Sequence, residues 1–271
     1  MRVTLLGTGD TTGTPKAGCD CGTCRAARER GVERTRFSVH LHNETAGESL
    51  LIDASPDFRQ QFLRDDVALP DAAVVTHIHF DHLHGLGNAR RLFDALPVHA
   101  AADTDPETGE SVADTVARQY DYLRPVEVVG RDPHEPFESC GFEVTLVPVE
   151  HPPLRSYGLR VEGDGATLAI TGDTTYAIDA DARGALAGAD LLVADAIAPA
   201  ASCADHPAGG SDYEDGTPYT FGTKHMTREG ALALAGELDA GETALVHCSH
   251  FYPPEEAFEA PLAVDGEQYV L

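Results

Sequence analysis

Apolar positions along the chain fall into short runs rich in branched residues. "RVTLLG" starts at Arg2, "SLLID" runs to Asp53 and "AAVVT" to Thr76. "FEVTLVPV" follows to Val149, "YGLRV" to Val161, "TLAIT" to Thr171, "DLLVAD" to Asp195 and "TALVH" to His247. Runs of this length and composition read as strands. Between them the apolar spacing becomes helical. Ser55-Pro56 predicts a cap and first helical residue, followed by Phe58 and Phe62 on one face. Val112, Val116 and Tyr120 recur every fourth position, and Thr227 predicts the cap of a helix that carries Leu234 and Leu238 and ends by Gly241. The order is strands, a helical middle, strands again, then a helix and a last strand. Residues 204–219 are the most loop-like stretch, crowded with Gly, Pro and Asp. No run reaches membrane-spanning length, and no low-complexity linker divides the chain. The pattern predicts an α/β fold of two sheets packed face to face with helices outside, as one domain over residues 1–271.

Charge changes this picture in one respect. Asp and Glu number 45 against 19 Lys and Arg, giving a formal net charge of -26. Apolar runs recur from end to end, so disorder is not the reason. A solvated acidic surface, as in salt-adapted proteins, fits better. It argues against a long nucleic acid as partner, because duplex binders carry a basic footprint. At about 1 M salt the Debye length is roughly 3 Å, which weakens that objection. The first apolar stretch is short for a signal peptide and reads as a strand, so the expectation is a cytoplasmic protein without membrane association.

Chemistry concentrates in "THIHFDH", residues 76–82. His77 and His79 alternate, so in an extended segment both point the same way. Asp81 and His82 follow where the chain turns and face a second position. Four metal-type donors within six residues are not explained by solvation, and His is the commonest metal ligand. His151 follows another apolar run, Asp173 follows "LAIT" and a Gly, and His247 ends "TALV". Four separate strands thus finish with such a donor, and a shared sheet edge would gather them at one point. Asp53 and Asp195 also end apolar runs; orienting a ligand histidine and plain turn chemistry remain equally open for both. "GTGDTTG", with Gly7, Gly9 and Gly13, lacks dinucleotide-loop spacing and reads as a turn bringing backbone close to the site.

The pattern HxHxDH, formed by His77, His79, Asp81 and His82, resembles that of the metallo-β-lactamase superfamily, and the likeness extends over nearly the whole chain. It implies the four-layer αββα sandwich, with two mixed β-sheets face to face and helices outside. It also implies two divalent metals, zinc or manganese. One takes His77, His79 and His151; the other takes Asp81, His82 and His247; Asp173 bridges them. Paired ions about 3.5–4 Å apart supply hydroxide at neutral pH and clamp the charge of an in-line displacement. With Asp81, Asp173 and a hydroxide counted, about one net positive charge remains, which suits an anionic ester.

"CDCGTC" adds three thiols, Cys19, Cys21 and Cys24. A closed zinc site needs a fourth ligand. "HCSH" supplies His250, three residues beyond His247. A structural zinc there would fasten the N-terminal loop to the end of the last strand; a redox pair would want a strand-then-helix context that is missing. Cys140 and Cys203 read as plain loop or core residues. The N-terminal cysteines with the later "HCSH" are similar to the phosphoribosyl cyclic phosphodiesterases of the carbon–phosphorus lyase pathway. That likeness places His225 at the site, as proton donor or phosphate ligand, and implies a homodimer. The leading expectation is a dinuclear phosphodiesterase whose hydroxide attacks a small diester, cyclic in that family. The alternatives are an endonuclease of the transfer-RNA 3′-processing kind, whose basic Gly-rich arm is missing between Leu83 and Glu150, and a thioester hydrolase. A non-hydrolytic binding module related to pyrroloquinoline quinone synthesis would share the cysteines without the complete metal pattern.

Overall fold

The computed structural model describes residues 1–106, 108–204, 209–221 and 224–271. Residues 205–208 of the loop-like stretch lie outside the described residues. In chain order the first half holds β1 (Arg2–Gly7), α1 (Gly22–Arg30), β2 (Ser38–Asn43), β3 (Glu48–Ile52), α2 (Phe58–Asp65), β4 (Ala72–Val75), α3 (Phe80–Leu83), α4 (Ala89–Leu92), β5 (Leu96–Ala101), α5 (Val112–Gln119) and β6 (Val126–Arg131). The second half holds β7 (Phe137–Ser139), β8 (Phe142–His151), β9 (Leu154–Gly163), β10 (Ala166–Ile170), α6 (Ala180–Leu186), β11 (Leu191–Asp195), α7 (Ala200–Cys203), α8 (Arg228–Glu237), β12 (Glu242–Val246) and β13 (Glu267–Val270).

Two mixed sheets result. The first runs β13-β1-β2-β3-β4-β5-β6 and the second β12-β11-β10-β9-β8-β7. In the first sheet β3 to β6 pair in parallel and β13, β1, β2 and β3 pair antiparallel. In the second, β10, β11 and β12 are parallel and the rest antiparallel. Alternation along the second sheet explains the layering. Leu146, Leu168, Ile170, Leu191 and Val193 join Leu5, Leu41, Leu50 and Val74 of the first sheet in one buried core. Their neighbours Val147, Ala169, Leu192 and Ala194 point the other way, onto Leu186 of α6 and Leu234 of α8. Helices α2 and α5 pack on the first sheet through Phe58, Phe62, Val112 and Val116.

The predicted strands are all present, and Thr227 caps α8, its hydroxyl accepting from Gly230 N at 2.9 Å. Leu238 and Tyr120 cap α8 and α5 at their C-termini rather than lying inside them. Two expectations need correction. Helix α2 begins at Phe58, because Ser55 and Pro56 form a tight turn before it. Phe58 N donates to Ser55 O at 3.0 Å, and the Ser55 hydroxyl donates to buried Gln61 at 2.9 Å. The middle is also less helical than expected, since it contributes β5 and β6. These strands escape a pattern reading because Pro97 interrupts one and the other is a half-buried edge.

The parallel strands place their C-terminal ends on one rim, where open α/β sheets bind ligands. Asp53 follows β3, His77 follows β4, Asp173 follows β10, and His247 follows β12. Asp53 and His247 have φ of 57° and 56°. This left-handed conformation costs a residue with a Cβ roughly 1–2 kcal/mol. Gly85 lets the segment after His82 lie against β3: a Cβ there would come within 2.1 Å of Ser55 O.

Candidate metal centre

The rim holds two groups of converging donors. In the first, His77 Nε2 lies 2.9 Å from His79 Nδ1, and His151 Nε2 lies 3.2 Å from the same atom. One proton cannot satisfy three nitrogens that face one another. The outer nitrogens are committed elsewhere: His77 Nδ1 is 3.1 Å from the Thr76 hydroxyl, and His151 Nδ1 donates to Lys224 O at 2.7 Å. The Nε2 lone pairs of both rings therefore point inward. In the second group, His82 Nε2 is 3.6 Å and His247 Nε2 3.5 Å from Asp81 Oδ2. Both nitrogens are buried and make no hydrogen bond.

Asp173 stands between the groups. Its Oδ2 is 3.7 Å from His77 Nε2 and 3.3 Å from both His82 Nε2 and His247 Nε2. His77, His79, His151 and Asp173 offer donor atoms all within 4.8 Å of one another, and so do Asp81, His82 and His247. Zinc with nitrogen ligands at about 2.0–2.1 Å needs ligand separations of roughly 3.3 Å, close to these spacings. Orphaned, buried, inward-facing nitrogens beside carboxylates are what a divalent cation would satisfy.

Electrostatics separates the two groups. Burial holds His77 well below the ordinary imidazole range and brings His151 down to about 4, so both are neutral donors. Burial opposes charge on His247 as well, yet Asp173 and Asp81 raise it to about 9. For His82, Asp173, Asp53 and Asp81 likewise overcome burial and hold it well above normal. Burial would push Asp173 up, but His247 and His82 hold it far below the usual carboxylate range. The carboxylates thus favour positive charge at the second group.

The two undecided aspartates both orient histidines. Asp53 accepts His82 Nδ1 at 2.6 Å and the Thr76 N–H and hydroxyl at 2.8 and 2.7 Å. Asp195 accepts His225 Nδ1 at 2.8 Å and lies 3.8 Å from His247 Nδ1. The His225 ring stacks on His247, centroids 4.8 Å apart at 15°. Thus His225, which the chain brings in from the loop before α8, reaches the centre. Sequence reading missed Thr76 and the Lys224 carbonyl, which act through a hydroxyl and a backbone atom and leave no pattern. The "GTGDTTG" turn also meets its expectation, because Gly9 bridges to both Arg36 and Cys248, next to His247.

The thiols gather separately. Cys19 and Cys21 Sγ lie 3.7 and 3.5 Å from His250 Nδ1, and Cys24 completes the group. A tetrahedral zinc with sulfur at about 2.3 Å and nitrogen at about 2.0 Å spaces S and N by roughly 3.6 Å. Cys21 also caps α1, its sulfur accepting from Cys24 N at 3.4 Å. Burial works against the Cys21 thiolate, but the Cys24 N–H and His250 draw its pKa down to about 6; burial pushes Cys24 up to about 12. Cys140, Cys203 and Cys248 stand apart from the cluster.

The sequence model of the Beta-lactamase superfamily domain matches residues 48–248. The chain belongs to that superfamily. The two mixed sheets are accordingly its metallo-β-lactamase sandwich, and the fold implies a divalent metal. The crystal structure of a new diphosphatase from the PhnP family is similar, with TM-score 0.78 and 29% identity over 100% of this chain and 97% of that one. A coenzyme PQQ synthesis protein B of Methylobacterium nodulans is 28% identical over 98% of this chain and 95% of its own length. An octanoyltransferase of Porphyromonas gingivalis is 32% identical over 93% of this chain, which spans only 47% of that protein. No helix among the described residues is long and apolar enough to cross a membrane.

Proposed function

We propose that this metallo-β-lactamase superfamily hydrolase cleaves a small phosphodiester, using two divalent ions at the rim and a structural zinc on the thiols. His77, His79 and His151 would hold one ion, Asp81, His82 and His247 the other, and Asp173 both. The observation that carries the reading is the Asp173 carboxylate, whose Oδ2 lies within 3.3–3.7 Å of nitrogens from both groups. Paired divalent ions, when bound, lower the pKa of water and neutralise charge building on a phosphoryl group.

The chain's own residues supply the rest. Asp53, Thr76 and the Lys224 carbonyl fix ring orientation and tautomer in His82, His77 and His151, as outer hydrogen bonds do for metal-ligating imidazoles. Asp195 holds His225 with Nδ1–H inward, leaving Nε2 to move a proton at the leaving oxygen. A phosphoanhydride is the second reading, favoured by the 29%-identical structure being that of a diphosphatase.

Metal-replete protein should turn over bis(p-nitrophenyl) phosphate and leave a β-lactam and an acyl thioester untouched. Strong thioester turnover with an inert diester would overturn the assignment.

A further inference from the structure

Next to the metal rim in sequence lie groups the mechanism above does not use. Phe80 sits between the candidate ligands His79 and Asp81 as the first residue of α3, yet it is 41% exposed. It is one of eight large apolar side chains exposed among the described residues, and its neighbours Asp81, His82 and Leu83 are buried. The guanidinium of Arg36 stands 5.9 Å from the Phe80 ring centroid, and His84 meets that ring edge-on at 5.7 Å.

Arg36 is held in place rather than trailing in solvent. It donates to both oxygens of Asp57 at 2.9 and 3.1 Å and to Thr11 O at 3.2 Å, and its backbone N–H binds Asp57 at 3.0 Å. Its backbone runs close to the rim. Gly9 bridges it to Cys248, the residue after His247, and Phe37, the residue after Arg36, packs on His82 at 5.6 Å. Phe80, flanked in sequence by two candidate ligands, and the fixed planar guanidinium over its ring thus form a partly exposed flat patch next to the HxHxDH segment. Asp57 already neutralises Arg36, so this patch adds little net charge for a phosphate. It offers flat surface, which stacks on planar rings regardless of their hydrogen-bonding pattern.

We infer that Phe80 and Arg36 form a stacking subsite for a flat heteroaromatic ring, so that the diester is a nucleotide derivative rather than a bare sugar or alkyl ester. The inference rests on the phosphodiesterase reading for its choice of substrate. In a chain of net charge -26, long-range attraction does little to concentrate a phosphate ester. A stacking patch adds affinity that salt screens little.

The test compares equilibrium binding of adenosine 5′-monophosphate and ribose 5-phosphate to the metal-loaded protein by calorimetry. The wild type should bind the adenosine compound about tenfold more tightly, the size of one base–aromatic stack. Phe80→Ala should abolish that ratio, Phe80→Trp should keep it, and Phe80→Leu, which preserves apolar volume, should lose most of it. Metal content and melting temperature of each variant report on folding. Equal affinities in the wild type, binding of neither compound, or a ratio that survives Phe80→Ala would overturn the subsite. Diester turnover by the wild type is read separately. Turnover with no adenosine preference removes the subsite alone; a Phe80-dependent preference without turnover leaves the subsite and removes the phosphodiesterase reading.

Discussion

The imidazole–carboxylate centre and the thiol cluster make the same kind of demand on the fold and meet it differently. The first draws its donors from the ends of β4, β8, β10 and β12, strands of both sheets, and nearly all are buried. Its His82, His77 and His151 rings are braced from behind by Asp53, Thr76 and a backbone carbonyl. The second takes three donors from one loop and the first turn of α1, and a single histidine from beyond β12. Cys19, Cys21 and His250 are only half-buried. Within hydrogen-bonding distance its donors meet mainly one another and two backbone N–H groups, of Lys16 and Cys24. The lesson is that the scaffold builds the first site and the second site builds part of the scaffold. Sheets fix the rim whether or not it is loaded, whereas the thiols and His250 add a link between segments more than 220 positions apart, beside the Gly9–Cys248 bridge and the Thr23 hydroxyl that donates to Tyr252 O.

Removing the shared carboxylate should break the comparison most sharply. Asp173→Ala should lower diester turnover on the order of a hundred- to a thousandfold, the scale of losing one preorganised electrostatic group, and reduce the ions retained at the rim. The melting temperature should change far less than turnover, because the sheet edge remains. Asp195→Asn is next. It keeps shape but removes the charge facing His225, so turnover should fall about 10–100-fold with rim ions retained. The pH–rate profile should shift with it, which a purely structural role would not produce. Cys21→Ser tests the other side. Expected are one ion fewer per chain by elemental analysis and a stability loss of about 2 kcal/mol, roughly 4–8 °C in melting temperature. The turnover loss should be smaller than for Asp195→Asn.

The smallest effect concerns the metal-free protein and follows from two histidines. His247, raised to about 9, contributes stability that is complete below pH 6.5 and is lost as pH rises through 9. His151, lowered to about 4, refuses a proton that the unfolded chain accepts, so stability falls as pH drops from 6.5 toward 4. The urea midpoint of chelator-treated protein should therefore peak near neutrality and decline at both pH 5 and pH 9.5. A midpoint that climbs steadily through pH 9 would contradict the assignment for His247.

Much of the rim is legible in the sequence because HxHxDH packs four donors into six residues, and because His151, Asp173 and His247 sit at the ends of recognisable apolar runs. The thiol cluster is legible for the same reason, three of its four ligands being local. What stays hidden depends on tertiary placement. Asp53 and Asp195 look like turn residues until β3 and β11 carry them behind His82 and His225. The left-handed turns at Asp53 and His247 leave no signature, since neither is glycine or asparagine. Strand β2 alternates through His40 and His42, which read as polar until both sheets and α2 are in place. The position of Arg36 depends on the Gly9 bridges, contacts between segments that no local pattern reports.

The central claim is that Asp173 joins two cations at one rim. Anomalous diffraction from crystals of zinc-replete protein tests it directly. The account predicts two peaks about 3.5–4 Å apart between β4 and β12, both touched by the Asp173 carboxylate, and a third among Cys19, Cys21, Cys24 and His250. A single rim peak, or a pair that Asp173 does not contact, would contradict it.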